Sequence, residues 1–286
     1  MMFRIRRVRR ALLALAGATV VLLGGAGAAR AAAPAVVPDS VLVVGDSIVS
    51  QAAAAARYWA PPGSTVWVYG GRGSAPCDWD AGYRDPFSGS WYRFSQVVDR
   101  DHPAAVVLAF SGNPGFSGPG AGCVDNRAHY PLSALLASYQ RSLVDLARYA
   151  SARGARVYLD ASPPRNPDTA PGAYRGADGS SLYGFNGVAP LDERYAAIAG
   201  SAEGRAHGWT YDTSAAAAVS DPALQWHLTE QCAAWDVYDG NCGAGVQVQV
   251  RAGGFDSIHL DTRGAGGTRY GMAVVRRPLA DEGYSA

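Results

Sequence analysis

Two short motifs at opposite ends of the chain carry the residue types of an activated hydroxyl nucleophile. Gly45-Asp46-Ser47 follows an apolar run near the N-terminus, and Asp256-Ser257-Ile258-His259 stands near the C-terminus. A serine becomes a nucleophile when a base takes its proton, a third group orients that base and donors stabilise the oxyanion. We therefore interpret Ser47 as a nucleophile, His259 as its base and Asp256 as the acid that orients the histidine.

Each of these residues also has an ordinary structural interpretation. Ser47 stands where a strand turns into a helix, which is a common place for an N-cap serine. His259 lies on the way into the last helix, where a surface histidine is equally ordinary. Residues three apart share one side of a helix or turn, so Asp256 can hold one ring nitrogen while the other faces Ser47. Asp261 is a rival orienting acid by proximity alone, and we interpret it as a cap for the final helix.

Two further segments offer donors for an oxyanion. Tyr69-Gly70-Gly71-Arg72-Gly73-Ser74 follows the second predicted strand, and its glycines let a backbone N–H approach a ligand closely. Ser111-Gly112-Asn113 follows the third, where the Asn113 amide can donate and Pro114 stiffens the turn. A Gly-rich turn and a turn asparagine are the alternatives for these two segments.

Strand-like and helix-like runs alternate along the chain. The predicted strands are 41–45, 65–69, 105–110, 155–160 and 209–212, and the predicted helices are 51–59, 91–100, 132–153, 191–207 and 266–279. This alternation predicts an α/β sandwich with a mainly parallel sheet. Ligands bind at the carboxyl ends of the strands in such sheets, so Ser47 and Asn113 should share one edge.

Two stretches do not fit the alternation. Ser162–Gly187 is rich in Pro, Gly, Asp and Ser, which is typical of a surface loop or lid. Thr213–Gly254 contains an alternating run, Val246-Gln247-Val248-Gln249-Val250, which indicates a hairpin beside the site. Long loops in compact domains are usually functional or disordered.

Together these motifs resemble the SGNH (GDSL) hydrolase superfamily in order and position across nearly the whole chain from residue 34 onwards. The resemblance implies a flavodoxin-like three-layer α/β/α fold and a Ser-His-Asp triad of Ser47, His259 and Asp256. It also implies an oxyanion hole from Ser47, Gly73 and Asn113, although Gly71 fits the spacing as well as Gly73. The chain departs from the family at Pro114, where Asp is frequent. No metal or organic cofactor is implied.

The N-terminus has the features of a secretory signal peptide over residues 1–33, followed by a single hydrolase domain over 34–286. Five arginines precede an apolar stretch of 13 residues, Ala11–Leu23, and small residues follow it. The alternative is a segment that is not cleaved and anchors the protein in the membrane, because residues 11–29 contain no charged side chain. Paired arginines leave twin-arginine export open beside the general route. We expect a secreted or cell-surface protein without a stable membrane span.

Charge and cysteine content narrow the classes further. After Arg30 the chain has 19 basic and 24 acidic residues, a net charge near −5, which disfavours nucleic-acid binding. The four cysteines of an exported chain predict two disulfides, which can be connected in three ways. We favour Cys232–Cys242, which closes a short loop, and Cys77–Cys123, which ties two loops together. A zinc site is the alternative, and the sequence contains no Cys-x-x-Cys or His-x-x-x-His spacing to support it.

The motifs therefore predict a secreted serine esterase that acts on a small-molecule, lipid or carbohydrate ester through an acyl-enzyme, as a monomer. Aromatic loop residues favour small-acyl carbohydrate or glycolipid-like esters slightly over a lipase substrate, although aromatics are also routine packing residues. An acyltransferase with the same triad and a non-catalytic binding module on the same scaffold are the alternatives.

Overall fold

Short strands alternate with helices along the part of the chain that the structure describes. This computed structural model describes residues 36–165, 190–233, 236, 247–252, 259–262 and 264–283. The strands are β1 (Val37–Gly45), β2 (Thr65–Gly70), β3 (Tyr83–Arg84), β4 (Trp91–Tyr92), β5 (Pro103–Ala109), β6 (Arg156–Asp160), β7 (Thr210–Asp212), β8 (Thr229–Gln231) and β9 (Gln247–Gln249). The helices are α1 (Ser47–Tyr58), α2 (Pro76–Ala81), α3 (Phe94–Asp101), α4 (Leu132–Ser151), α5 (Pro190–Ala199), α6 (Ala202–His207), α7 (Ser214–Ala217) and α8 (Gly266–Asp281).

Five parallel strands form the central sheet in the order β2-β1-β5-β6-β7. Numbered among themselves along the chain, the strands run 2-1-3-4-5, which is the flavodoxin-like order. The order reverses between β1 and β5. In sheets of this kind the ligand-binding crevice lies outside the carboxyl ends of the strands at such a reversal, so it is expected there. Gly45 and Ala109 pair at that end, so the residues that follow them stand at the crevice.

Apolar layers cover both faces of the sheet and complete the predicted α/β/α sandwich. Leu42 and Val44 of β1 pack into one layer, whereas Val41 and Val43 pack into the other, as the two-residue period of a strand requires. The first layer contains side chains from α2, α3, α4 and α5, and the second contains side chains from α1, α7 and α8. The three-layer prediction is therefore confirmed.

The helix predicted at 91–100 is shorter at its start. Trp91 and Tyr92 pair with Arg84 and Tyr83 as an antiparallel hairpin, and α3 begins only at Phe94. Cross-strand pairing of aromatic residues stabilises such a hairpin. Residues 91 and 92 therefore form a strand, although the sequence pattern predicts a helix there.

The helix predicted at 191–207 is two helices. α5 ends at Ala199 and α6 begins at Ala202, and the Ser201 side chain between them accepts a bond from Gly204 N at 2.9 Å. Ser201 is thus an N-cap that starts a new helix. In contrast, α4 extends over nearly the whole predicted range, and Gly154 follows it with φ +86°.

The two irregular stretches are described only in part. Residues 166–189 lie outside the described residues, so the loop predicted at Ser162–Gly187 is described only as far as Arg165. In the second stretch β8 and β9 pair antiparallel, which confirms the strands of the predicted hairpin. A search of the described helices finds none long and apolar enough to cross a membrane.

Candidate active site

Ser47 and His259 meet at the carboxyl end of β1. Ser47 is the first residue of α1, and its Oγ lies 3.1 Å from His259 Nε2 across 212 residues of sequence. This is a hydrogen-bond distance for a nucleophile and its base. Both residues are only partly buried, so a ligand in the crevice can reach them. The structure thus brings together the serine and the histidine that the sequence predicts.

Asp46 lies beneath this pair and connects the ends of β1 and β5. One of its carboxylate oxygens, Oδ2, accepts bonds from Ser111 N at 2.7 Å, Ser111 Oγ at 2.6 Å and Asn113 Nδ2 at 2.8 Å. The other oxygen caps α1 by accepting a bond from Ile48 N at 3.0 Å. A carboxylate with four donors fixes both the start of α1 and the Asn113 amide. Since an amide nitrogen carries two hydrogens, Asn113 keeps a second N–H for a ligand.

The environment of Asp46 acts on its ionisation in two directions. Asp46 is fully buried, and burial raises the pKa of its carboxyl. The bonds from Ser111 and Ile48 and the charge of Arg165 act to lower that pKa. The Arg165 guanidinium is itself buried and donates to the Ser111 carbonyl at 3.0 Å. The bonds and the positive charge therefore favour the charged carboxylate against its burial.

Of the two glycines considered as oxyanion donors, Gly71 has its N–H in use. That N–H donates to the Gly45 carbonyl at 2.9 Å, and a Cβ on Gly71 would lie 1.5 Å from the Tyr83 hydroxyl. Gly73 has φ +70°, and none of the described residues accepts a bond from its N–H. A left-handed conformation with an available donor favours Gly73 over Gly71 for contact with a ligand.

A buried carboxylate and a disulfide hold the loop after Asn113. Asp78 accepts bonds from Ala75 N at 2.9 Å, from Phe116 N at 2.9 Å and from Ser117 N at 2.8 Å. The Cys77–Cys123 disulfide, one of the two pairings that we favour from the sequence, closes the same region. Within the described chain, Cys77, Asp78 and Cys123 are the group whose spacing could hold a metal. Both sulfurs are joined to each other, so the group lacks thiolate ligands and serves the loop instead.

A second buried carboxylate, Asp160, ends β6. Tyr270 Oη donates to its Oδ2 at 2.6 Å. Burial, together with the like charges of Asp212 and Asp192, raises the pKa of Asp160 well above its usual value. This arrangement favours a neutral carboxyl.

The other residues predicted from the sequence are described only in part. Asp256 and Cys242 lie outside the described residues. Cys232 is disulfide-bonded. The N-cap of α8 is Ala265 rather than Asp261, and Asp261 accepts a bond from Gly267 N at 3.1 Å through its backbone carbonyl.

Asp46 and Ser111 have roles that no sequence prediction assigned to them. Asp46 belongs to the Gly45-Asp46-Ser47 motif, and its carboxylate joins three segments of the site. Its position directly after a buried strand, next to the predicted nucleophile, was the available signal. Its partner Ser111 stands 65 residues away, a separation at which no local pattern indicates a contact.

No family model and no curated protein matches this chain. Solved structures do resemble it. A GDSL-like lipase from Bacteroides thetaiotaomicron is 12% identical with a TM-score of 0.46, and the match covers 85% of this chain and 88% of that one. A carbohydrate acetylesterase family member from Sinorhizobium meliloti is 14% identical with a TM-score of 0.48, covering 85% and 98%. A mutant of an acetyl-xylooligosaccharide esterase from Geobacillus is 13% identical with a TM-score of 0.46, covering 87% and 96%.

Proposed function

We propose that this chain is a serine esterase of the SGNH (GDSL) hydrolase type, which hydrolyses carboxylic esters. The observation that carries the proposal is the 3.1 Å approach of His259 Nε2 to Ser47 Oγ at the start of α1. The order of the Gly45-Asp46-Ser47, Gly112-Asn113 and Asp256–His259 motifs supports the same assignment. In this proposal Asp256 orients His259 through the second ring nitrogen.

The proposed reaction has two steps. Ser47 Oγ bonds to the ester carbonyl carbon while its proton passes to His259 Nε2. The carbon–oxygen bond to the alcohol then breaks, and the alcohol leaves with that proton. Water attacks the acyl-enzyme, gives one proton to His259 and releases the acid as Ser47 regains its hydrogen. Both halves need the neutral imidazole as the base.

The oxyanion of each tetrahedral intermediate needs donors that are in place before the reaction. Ser47 N–H stands in the first turn of α1, where a backbone N–H has no partner within the helix and the helix dipole favours negative charge. Gly73 N–H and the second N–H of Asn113 are the other donors that we propose. Asp46 is a positioning residue, because it holds Asn113 and the start of α1.

We expect Ser47→Ala to lower kcat by about 10⁴-fold or more, because the covalent step is lost. Hydrolysis of p-nitrophenyl acetate, butyrate, octanoate and palmitate by the purified chain from residue 34 measures this, and the chain-length profile separates an acetyl esterase from a lipase. A fluorophosphonate probe should label the wild type and leave the variant unlabelled. Thermal unfolding should shift by no more than about 2 °C.

Matched controls separate the site from its surroundings. Ser50→Ala changes another serine of α1, and His129→Ala changes an exposed histidine away from the site. Both should keep wild-type activity, whereas His259→Ala should lose activity as Ser47→Ala does. A Ser47→Ala protein that still hydrolyses these esters at the wild-type rate would disprove the assignment. Comparing Asp256→Ala with Asp261→Ala shows which acid orients the histidine.

We also propose that the chain is exported and that residues 1–33 are removed. The charged start and apolar stretch of the sequence support export, and the Cys77–Cys123 disulfide is compatible with an oxidising compartment. Mass spectrometry of the protein recovered from culture medium would give the mature N-terminus directly. Recovery only in the cell interior, with Met1 retained, would contradict export.

A further inference from the structure

The ring of Phe116 lies beside Gly73, one of the proposed oxyanion donors. Phe116 follows Asn113 by three residues, and a Cβ on Gly73 would lie 2.9 Å from its ring. Phe116 is 41% exposed, and it is one of six large apolar residues of the described chain that are exposed. The ring therefore stands beside the crevice with part of its surface open to solvent.

The backbone under Phe116 is held from several sides. Phe116 N donates to both oxygens of the buried Asp78, and Ser117 N donates to one of them. Asn126 Nδ2 donates to the Gly115 carbonyl at 2.9 Å, and Tyr139 Oη donates to the Asn113 carbonyl at 2.9 Å. A loop held in this way presents its side chain at a low conformational cost, which favours ligand binding.

The ring of Phe116 is also supported from behind. It lies nearly parallel to the Tyr83 ring, with centroids 6.4 Å apart and 17° between the planes. Tyr83 in turn contacts Tyr92 at 5.7 Å and the buried Trp79 at 5.9 Å between centroids. Phe116 is thus the exposed member of an aromatic cluster whose other end, Trp79, lies in the core.

The shape of this surface distinguishes between ligand classes. Acyl chains bind in enclosed apolar clefts, whereas the exposed face of an aromatic ring suits the C–H face of a sugar ring, whose hydroxyl groups remain free for polar partners. Among the exposed large apolar residues of the described chain, Phe116 is the one whose ring atoms lie nearest to a Cβ on Gly73. The exposed arginine Arg72, next to Gly73, supplies donors for hydroxyl groups.

We propose that Phe116 is a specificity-determining residue whose exposed face stacks on a pyranose ring of the ester substrate. This inference rests on the proposed esterase function and narrows its substrate class to sugar esters. Phe116 binds the ring next to the scissile ester, and it takes no part in the bond changes at Ser47.

The test compares two acetate esters, a mono-acetylated methyl glucopyranoside and vinyl acetate, which has no ring. We expect Phe116→Ala to raise KM for the sugar ester about tenfold with little change in kcat, and to change kcat/KM for vinyl acetate by about twofold or less. Phe116→Trp should restore the sugar-ester KM. Phe87→Ala, which removes a phenylalanine that is 65% exposed elsewhere, is the matched control and should match the wild type.

The outcomes distinguish this inference from the proposed function. Equal losses on both esters would show that Phe116 only supports the oxyanion hole, and an unchanged KM for the sugar ester would also overturn the inference. A wild type that neither hydrolyses vinyl acetate nor reacts with a fluorophosphonate would refute the esterase instead. Saturation-transfer NMR with unesterified methyl β-glucopyranoside then decides the subsite without turnover. We expect a sugar signal with Phe87→Ala that is absent with Phe116→Ala, and equal signals would overturn the inference.

Discussion

Two buried carboxylates stand at the carboxyl edge of the same sheet, and they have opposite surroundings. Asp46 follows β1 and is surrounded by hydrogen-bond donors, with the charge of Arg165 nearby. Asp160 ends β6, where one tyrosine hydroxyl donates to it and two acidic side chains repel its charge. Burial raises the pKa of both groups, but the surroundings oppose this rise at Asp46 and add to it at Asp160.

The difference shows how the same residue type serves two purposes on one scaffold. At Asp46 the donors favour a charged acceptor, which can hold the Asn113 amide and the start of α1 in place. At Asp160 the like charges favour a protonated group, which can accept a bond from Tyr270 without an unpaired charge in the core. The proposed chemistry lies next to the first of these two carboxylates.

Among changes to these two carboxylates and their partners, Asp46→Ala should have the largest effect. Ser111 N, Ser111 Oγ and Asn113 Nδ2 would lose a buried acceptor, which should lower the free energy of unfolding by about 3–5 kcal/mol. Activity on vinyl acetate should fall about 100-fold or more, because Asn113 is no longer oriented. Urea denaturation and steady-state kinetics measure the two effects. A variant with wild-type stability and rate would show that this carboxylate positions nothing.

Asp160→Asn should stabilise the protein at neutral pH by about 2 kcal/mol or less, since the wild-type carboxyl is ionised in the unfolded chain and must take up a proton to be buried, whereas asparagine needs none. A carboxyl whose pKa is raised by folding stabilises the folded state, and this contribution is fully present below the unfolded-state pKa, near 3.9. The contribution is lost as the pH rises through the pKa of the folded state. The variant should therefore match the wild type near pH 4 and exceed it at pH 8. Thermal unfolding at both values checks this, and a variant that is less stable at pH 8 would contradict the neutral carboxyl.

Ser111→Ala should have the smallest effect, a loss of about 1 kcal/mol, because Asp46 keeps its other donors. In the wild type, the bond from the Ser111 hydroxyl lowers the pKa of Asp46, so the substitution raises that pKa further. The stability difference should thus be present at pH 8 and shrink as the pH falls through the folded-state pKa of Asp46. A difference that is the same at neutral and acid pH would mean that Asp46 is already protonated at neutral pH.

Elements with long, uniform patterns were predicted well from the sequence. β1 and β5 are buried throughout their central residues, and α4 repeats leucine and tyrosine at helical spacing over five turns. Such patterns arise directly from burial on a sheet or on one side of a helix. The five sheet strands and the shared edge that carries Ser47 and Asn113 followed from them.

Short elements were beyond the sequence analysis for physical reasons. α2 has six residues and begins at Pro76, which is too short for a periodic pattern. β3 and β4 contribute two residues each and depend on packing between Tyr83, Tyr92 and Trp79 rather than on their own propensity. The break at Ser201, in contrast, had a local signal, because glycine followed by serine is typical of one helix ending and another starting.

The contact between Ser47 and His259 has a consequence for biosynthesis. Ser47, Gly73 and Asn113 leave the ribosome well before His259 and α8, since His259 follows Ser47 by 212 residues. Because α8 packs on α1 only after it has itself been made, a growing chain that ends before it carries the hydroxyl without its base. Any esterase activity would therefore be silent until the segment that contains His259 and α8 docks.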